Sequence, residues 1–426
     1  MTVIKSFAGV RYDPARVSPD SVVAPPYDVI DGELRGKLYD TGPYNIVRLI
    51  YGREADPYGE AARHVAEWTA SGVLKRDPAP ALYLLEQEFR LGGGRAFLRS
   101  GFIAACRLED FGGSVLPHEK THSGPKEDRL KLMNATGMMF SQIFSLYPDP
   151  DRKLEAVLRG AKSSPPDTVA AYDGVVNRLW SCRDQGVCLE VSGFLRDHRV
   201  LVADGHHRYE TALAYRNAMR MKNPSHDGHE AYNFVPMFFC NMHDPGMVVL
   251  PTHRLLGGVA GFDAASLLGK IGIYFSISEH PVFNSMMESL DRARGPAVGM
   301  AMKPGGAFHL AVLGPEGARL LEGLPEVIRR LDVTVLHDLI LGRLLGLSAD
   351  VQEKKTNLEY ERDPGEALRL LGKGNRQAAF FMRAMPLEDV RIVAEAGLTL
   401  PQKSTYFYPK LLSGLVNYVF DGEDRW

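Results

Sequence analysis

The stretch Val202-Ala-Asp-Gly-His-His-Arg-Tyr-Glu210 joins a predicted strand to a predicted helix. The residues just before it, 198–202, are rich in β-branched side chains, which is typical of the end of a buried strand. Residues 210–220 are rich in alanine and contain neither glycine nor proline, which favours a helix. We therefore expect Asp204 to lie at a strand-to-helix turn and to act as the N-cap of that helix.

This turn concentrates groups that bind phosphate and transfer protons. Gly205 permits a tight turn and close approach of a ligand. The unpaired N–H groups of a helix start attract anions, and His206, His207 and Arg208 add donors beside them. Asp204 adds a proton acceptor. The alternative interpretation is a capping aspartate followed by ordinary surface basic residues.

Length and composition restrict the class of protein. The chain has 426 residues, enough for two or three domains, and its 45% hydrophobic and 24% charged content is that of a soluble globular protein. With a net charge of −2, the chain has no overall positive charge that would attract nucleic acid or an anionic membrane. The sequence contains no apolar run of membrane-spanning length and no signal-peptide pattern at its start.

The cysteines point to a reducing compartment. Cys106, Cys182, Cys188 and Cys240 are scattered, without a Cys-x-x-Cys pair, which disfavours zinc-ribbon and thioredoxin chemistry. Cys106 and Cys240 lie in apolar strand-like runs and are predicted to be core residues. We therefore expect a cytoplasmic protein.

Periodicity predicts strands and helices along the whole chain. A hairpin is predicted around Gly92–Gly94, and no Walker A or Gly-x-Gly-x-x-Gly sequence is present. The predicted strands include 45–51, 81–89, 97–107, 140–147, 235–242, 247–254, 273–279, 297–302, 308–313 and 378–382, and the predicted helices include 58–71, 151–161, 283–292, 333–345, 364–371 and 386–393.

A second polar segment, residues 116–129, contains a histidine-rich loop. A zinc site is one interpretation of His118, Glu119 and His122, whose spacing is that of His-Glu-x-x-His. Pro117 and Gly124, however, bracket a loop, whereas that motif lies on a helix. A single acid, Glu119, acting as general acid or base or holding Mg²⁺, fits this pattern better.

Two further segments are candidate site walls. His253 and Arg254 end a predicted strand and are either a second anion contact or a surface cation pair. Residues 401–411 carry Lys403, Ser404 and Thr405 in a polar, aromatic segment interrupted by prolines. Such a segment is typical of a site wall, and an exposed loop is the alternative.

These motifs together resemble a known family. The segments Ala24-Pro-Pro-Tyr-Asp28, Pro117-His118-Glu119, Ala203–Arg208, Leu250-Pro-Thr-His-Arg254 and Lys403–Lys410 are similar to a bacterial and archaeal family of unknown function, the DUF1015-type family, and the resemblance covers nearly the whole chain. The pair Pro-His-Glu and Asp-Gly-His-His-Arg also resembles the archaeal free L-serine kinases of the ParB/sulfiredoxin superfamily.

The kinase resemblance implies roles for individual residues. It implies that Asp204 deprotonates a substrate hydroxyl and that Glu119 assists at the substrate. It implies that His206, His207 and Arg208, with Gly205, hold the phosphates of a nucleotide. The expected substrate-binding residues are His118, Thr121, His253, Arg254, Lys403, Ser404 and Thr405.

The expected fold is mixed α/β, with a central ParB/sulfiredoxin-like module flanked by α/β regions. The predicted divisions are residues 1–110, 111–260 and 261–426, with the catalytic module in the middle. Glu119 and Asp204 are 204 − 119 = 85 residues apart, which implies an insertion around residues 145–190 relative to the compact kinase. We nevertheless expect Glu119, Asp204 and His207 to converge on one pocket, because each lies on a loop beside a strand end.

The function predicted from the sequence is phosphoryl transfer from a nucleoside phosphate to the hydroxyl of free L-serine or a similar metabolite. The expected cofactors are ATP or ADP as donor with Mg²⁺, without a dedicated metal site in the protein. The expected partners are small molecules rather than nucleic acid or membrane, with a homodimer left open. The alternative is a nucleotide-responsive binding or partition-type protein without transfer chemistry.

Overall fold

A nine-stranded mixed sheet organises the first of two structural units. The computed structural model describes residues 1–119, 123–162, 165–303 and 305–420. The first unit comprises the described residues within 1–117, 121–248 and 409–426, and the second those within 118–120 and 249–408. The chain is mixed α/β, as predicted.

The large sheet places the strand Val200–Asp204 between two neighbours. It pairs in parallel with Val115–Leu116 and antiparallel with Ile143–Tyr147. The sheet then continues in the order Phe234–Asn241, Ala96–Arg107, Leu82–Arg90, Val175–Cys182 and Thr168–Tyr172, and Ile4–Lys5 pairs with Ala96–Arg107. The boundary predicted near residue 110 falls between two strands of this one sheet.

The remaining elements of the first unit are helices and short strand pairs. The helices are Pro19–Val22, Gly32–Thr41, Val47–Ile50, Pro57–Ala70, Ser123–Thr136, Lys153–Gly160, Gln185–Arg196 and His206–Lys222. The 3-10 turns are Tyr27–Val29, Gly92–Gly94 and Ala231–Asn233, and the short strands are Val10–Tyr12 with Leu74–Arg76 and Met138–Met139 with Tyr418–Val419.

The second unit is built on a six-stranded antiparallel sheet. Its strand order is Phe275–His280, Phe308–Leu313, Ala297–Met302, Arg376–Phe381, His253–Gly257 and Leu358–Glu361. Two further short strands are Tyr406–Tyr408 and Val248–Leu250. Along the chain, the first unit's segment ends at Val248, so the second of these strands begins in the first unit and continues into the second. Its helices are Ala264–Tyr274, Phe283–Arg292, Pro315–Leu320, Glu326–Arg329, Asp332–Thr334, the π-helix Val335–Leu344, Ala349–Glu353, Pro364–Leu371 and Leu387–Glu395.

Local sequence accounts for several of these helices. Asp184 caps Gln185–Arg196 by accepting a hydrogen bond from the Val187 N–H. Asp363 does the same for Pro364–Leu371, where proline occupies the first turn. The central strand Phe234–Asn241 is buried along its whole length, as its apolar sequence predicted, and Cys240 lies inside it.

The predicted strand at residues 45–51 is wrong, because the structure has the helix Val47–Ile50 there. Asn45 explains the difference. Its buried side-chain oxygen accepts the Val47 N–H, while its amide donates to the carbonyls of Ser21 and Val23. The asparagine thus ties a helical turn to a neighbouring segment, and this tertiary contact overrides the β-branched pattern.

Candidate functional site

The stretch Val202–Glu210 comprises the end of a strand, a glycine turn and the start of a long helix. The strand ends at Asp204, Gly205 follows with φ 94°, and the helix His206–Lys222 begins directly after it. The pairing with Ile143–Tyr147 shifts register between Val202 and Asp204. A bulge of this kind redirects the side chain that follows it. The predicted strand-to-helix turn is confirmed, with an irregularity just before Asp204.

Asp204 is not the N-cap of this helix, so that expectation is wrong. Gly205 occupies the N-cap position without a side-chain bond. The Asp204 carboxylate instead accepts from two cations: Arg208 lies 2.7 Å from Oδ2 and Lys410 lies 2.9 Å from Oδ1. The side chains of Arg208 and Lys410 are only 7% and 12% exposed, so both ion pairs are largely shielded from water.

Arg208 is held in place by its other contacts. Its Nη1 donates to the Gln142 carbonyl and its Nη2 to Asp204. A guanidinium carries five N–H donors, so these two bonds leave others for a ligand. Arg208 also lines a cavity of about 30 Å³ with Tyr27, Arg129 and Thr211, which is far smaller than a nucleotide. The phosphate role predicted for Arg208 therefore requires a ligand on the open side of the turn.

The first turn of the helix presents the two predicted histidines. His206 is buried and His207 is half-buried. The His207 carbonyl accepts the Thr211 hydroxyl at 2.7 Å, and Glu210 forms an ion pair with Lys126 at 2.6 Å. The side chain of Lys126 belongs to the helix Ser123–Thr136, so the two helices are linked beside the turn.

Gly205 is a residue at which we expect substitution to be poorly tolerated. At φ 94° an L side chain is strained, and an added Cβ would lie 3.0 Å from Nε of Arg208. Gly205→Ala should therefore lower the free energy of unfolding by about 1–2 kcal/mol. The measurement is a urea melt.

Gly193→Ala is the matched control, because Gly193 lies within a regular helix with open space around its Cα. This control should raise stability by about 0.5–1 kcal/mol through helix propensity. Equal effects at Gly205 and Gly193 would contradict the strained turn.

In the second unit, His118 contacts Thr405, which belongs to the polar segment of residues 401–411. His118 is fully buried, and its Nε2 lies 2.9 Å from the Thr405 hydroxyl. Glu119, with a side chain 19% exposed, has an Oε1 3.9 Å from the same histidine nitrogen. The backbone of Glu119 bridges to Leu400. Two segments 287 residues apart are thus brought into contact.

His253 and Arg254 are core residues rather than surface cations. They begin the strand His253–Gly257 and are 0% and 1% exposed. His253 Nδ1 accepts the Met382 N–H, so the proton of the neutral ring lies on Nε2, an atom that has no hydrogen-bond partner among the described residues. Burial is the main cause that lowers the pKa of His253 to about 4. The positive charge of the nearby Arg254 is the second cause and acts in the same direction.

The predicted segment around Lys403 is partly buried. Lys403 has φ 57°, an uncommon value for a residue with a side chain, and its carbonyl accepts from Arg254. Ser404 donates to the Pro401 carbonyl, and both Ser404 and Thr405 are 7% exposed. This segment is therefore packed into the second unit and is not a free loop.

The predicted site residues thus fall into two groups. Asp204, Gly205, His206, His207 and Arg208 cluster in the first unit. The second unit holds His118, Glu119, His253, Arg254, Lys403, Ser404 and Thr405. Thr121 lies outside the described residues, as do Lys120 and His122. Convergence of Glu119 with Asp204 and His207 stays a prediction.

Sequence reasoning did not assign two residues that the structure brings to these clusters. Lys410 reaches Asp204 from 206 positions along the chain, and His337 contacts Arg254 from 83 positions away. Lys410 follows Pro409 at the end of the polar segment, which was a weak signal. His337 lies in an apolar helical run, where a lone histidine usually indicates a satisfied core position.

Metal ligands are not clustered in the described part of the chain. Among the residues described, no group of three or more His, Cys, Asp or Glu side chains is placed to hold a metal ion. Asp204 already pairs both oxygens with cations. Direct coordination of Mg²⁺ by Asp204 would displace one of these partners, so these residues do not fit a resident magnesium ion.

Comparison with known proteins identifies a family and a set of distant folds. The model of a family described as "Protein of unknown function (DUF1015)" matches residues 4–334. No curated protein matches the chain.

No helix within the described ranges is both long and apolar enough to cross a membrane.

Among the solved structures that are similar at low identity are the following three. A conserved hypothetical protein from Pyrococcus furiosus is 14% identical, with a TM-score of 0.36 over 74% of this chain and 94% of that one. A free serine kinase in complex with AMP is 13% identical, with a TM-score of 0.37 over 74% and 90% of the two chains. SbnI from Staphylococcus aureus, with a C-terminal truncation, is 12% identical, with a TM-score of 0.36 over 74% and 86%. Scores this low do not indicate a shared activity.

Proposed function

Because this chain belongs to the DUF1015 family of proteins of unknown function, we propose a function from its own residues: phosphoryl transfer from a nucleoside phosphate to the hydroxyl of a small metabolite. Free L-serine is the first acceptor to test, because the Pro-His-Glu and Asp-Gly-His-His-Arg motifs resemble those of free L-serine kinases. ATP and ADP are the first donors.

One observation carries this proposal. The Asp204 carboxylate lies at the end of a sheet strand, beside the start of a 17-residue helix, and is paired with Arg208 and Lys410. The helix start provides N–H donors for phosphate oxygens. A proton acceptor with two cations beside it matches the positioning and charge neutralisation on which phosphoryl transfer depends.

In the proposed reaction, the acceptor hydroxyl approaches Asp204. The hydroxyl oxygen forms a bond to the terminal phosphorus as the bond from that phosphorus to the nucleotide breaks. The hydroxyl proton goes to Asp204, and the shortened nucleotide leaves with the electron pair. Lys410 leaves its ion pair with Asp204 and pairs with a phosphate oxygen instead. Oδ1 of Asp204 is then available to accept the proton.

The other predicted roles complete this proposal. His206, His207 and Arg208, with Gly205, contact the nucleotide phosphates. Glu119 assists at the acceptor, with His118, Thr121, His253, Arg254, Lys403, Ser404 and Thr405 as its substrate-binding set. Mg²⁺ would neutralise phosphate charge when bound with the nucleotide. A cytoplasmic location, and small molecules rather than nucleic acid as partners, remain part of the proposal.

The test is a product assay. Purified protein is incubated with ATP, ADP or pyrophosphate and a panel of hydroxyl metabolites, and products are identified by mass spectrometry. A phosphorylated metabolite formed in proportion to enzyme supports the proposal. Nucleotide binding without any product would support the alternative, a binding protein, in which the ion pairs of Asp204 have only a structural role.

Arg208→Lys should weaken nucleotide binding although it preserves the charge, because a single ammonium cannot reproduce the planar donor set. We expect a loss of at least about tenfold in affinity by calorimetry. Arg199→Lys is the control, since within the described part of the chain Arg199 donates only to the carbonyls of Gly112 and Gly113 in the same unit. Unchanged nucleotide affinity in folded Arg208→Lys would assign Arg208 a purely structural role.

A further inference from the structure

A cavity of about 240 Å³ lies within the second unit, away from the Asp204 turn in sequence. It is bordered by the start of the strand His253–Gly257 and by two segments, residues 330–333 and 382–386. Its polar lining includes Thr252, Arg254, Arg330, Arg383 and Ser404. An arginine-rich lining of this kind raises the question of which anion it would bind.

Arg254 is a buried cation without a carboxylate partner among the described residues. It is 1% exposed and donates to the carbonyls of Thr252 and Lys403 and to His337 Nε2. Burial lowers its pKa to about 10, while Tyr360 and Glu119 act in the opposite direction. Arg254 therefore stays charged at neutral pH, and two of its five N–H donors remain after these three bonds.

Thr252 lines the same cavity and carries an unsatisfied polar atom. The residue is 4% exposed, and its hydroxyl oxygen has no hydrogen-bond partner in the described part of the chain. Buried hydroxyls are nearly always bonded, so an isolated one beside a cavity indicates a missing partner. A ligand oxygen would satisfy it.

The charges of the cavity favour a singly charged ligand. Arg330 pairs with Asp389 at 3.2 Å, and Arg383 pairs with Asp332 at 2.7 Å. The opposite charges within each of these two pairs cancel. Among the charged residues that line the cavity, Arg254 is therefore the one whose positive charge is not balanced by a paired carboxylate. A carboxylate neutralises one positive charge, whereas a phosphate dianion would leave an excess negative charge in a buried site.

We propose that this cavity is a binding site for a small carboxylate, held by the guanidinium of Arg254 and the hydroxyl of Thr252. Two N–H donors and one hydroxyl match the two oxygens of a carboxylate. The volume accommodates a compact molecule of a few heavy atoms, such as a short hydroxy or amino acid. Because Arg254 also belongs to the acceptor-binding set of the proposed function, this inference rests on that function and names the chemical group held there, whereas carboxylate binding itself is measured without turnover.

Thr252→Val is the decisive variant because it has the same shape and removes only the hydroxyl. Acetate, L-lactate and L-serine are titrated into the full-length protein by calorimetry, with inorganic phosphate as a comparison. We expect the parent to bind at least one carboxylate saturably and Thr252→Val to bind it about tenfold more weakly, the scale of one hydrogen bond to a charged group. The melting temperature should stay the same or rise, since an unsatisfied buried atom is removed.

Two controls distinguish a built site from general attraction. Arg319→Gln removes a positive charge of the same unit from a residue that is not among those lining the cavity, where the side chain is 65% exposed and paired with Glu316, and should change affinity less than twofold. Thr136→Val removes a hydroxyl that is satisfied by the Leu132 carbonyl, and should leave affinity unchanged. Arg254→Lys, if folded, should weaken binding more than Thr252→Val does.

Three results would overturn the proposal. They are equal affinity in Thr252→Val and the parent, an equal loss in Arg319→Gln and Thr252→Val, and the absence of saturable carboxylate binding up to about 100 mM. Phosphate that binds more tightly than every carboxylate, with the same dependence on Thr252, would also overturn the assignment of ligand class. Each of these results concerns binding alone, so it is distinguishable from a failure of the phosphotransfer assay, which is measured from products.

Discussion

Asp204→Asn is expected to lower phosphoryl-transfer turnover by at least about 10²-fold, the usual scale for losing a general base. The amide cannot accept the hydroxyl proton. Nucleotide binding should persist, because Arg208, Lys410 and the helix start remain. The measurement is steady-state turnover of parent and variant with the donor and acceptor found in the product assay, normalised to folded protein.

The same substitution should also destabilise the protein, for a reason visible only in the structure. An N-cap aspartate could be replaced by asparagine at little cost. Asp204 instead pairs with two shielded cations, and the new amide group would face one of them. We expect a loss of about 1–3 kcal/mol in the free energy of unfolding, measured by urea melts.

Asp149→Asn is the matched control for Asp204→Asn. Asp149 is a buried carboxylate of the same unit, and its Oδ2 accepts a backbone N–H from Leu154, a bond that the side-chain oxygen of asparagine can also accept. This control should keep full turnover. Full turnover in folded Asp204→Asn would remove Asp204 from the mechanism and leave Glu119 as the candidate base.

Mild acid should destabilise the second unit strongly. His253 and His337 are 0% and 5% exposed, and burial lowers their pKa values to about 4 and about 3. In the unfolded chain both return to about 6.5. Between these values the unfolded chain binds more protons than the folded one, so stability falls as pH falls below about 6.5. The loss between pH 7 and pH 5 could reach about 4 kcal/mol for both histidines together.

The groups around these histidines support the direction of the effect. Arg254 lies beside both rings and opposes their protonation, whereas Asp363 near His253 and Gln352 bonded to His337 favour it more weakly. Burial is the largest cause in both cases. The prediction therefore depends mainly on how completely the rings are excluded from water.

Urea melts followed by circular dichroism at pH 7 and pH 5 measure this effect. His337→Gln removes one titrating ring, so its stability should fall less than that of the parent between the two pH values, even if the variant is less stable at pH 7. His243→Gln, at an exposed position, should show the same pH dependence as the parent. Equal pH dependence in His337→Gln and the parent would contradict the prediction.

Elements with strong local patterns were predicted with accurate bounds. The helices Phe283–Arg292 and Pro364–Leu371 and the strands Ala297–Met302 and Phe308–Leu313 have the limits expected from the sequence. Apolar periodicity and end signals lie within each of these segments, so local physics suffices to place them. The helix Val47–Ile50 was missed because its determinant, Asn45, bonds to residues more than twenty positions away.

The sequence by itself determined the mixed α/β class, the family resemblance and the strand, glycine turn and helix that carry Asp204. The class and the turn follow from composition, short-range periodicity and glycine geometry, and the resemblance follows from the short motifs themselves. Only the tertiary structure decided what the polar groups do. Asp204 is paired with Lys410 rather than capping its helix, His118 meets Thr405, and Arg254 is a buried cation rather than a surface one. Such roles depend on partners hundreds of residues away and on exclusion from water, and neither is encoded in any local stretch of sequence.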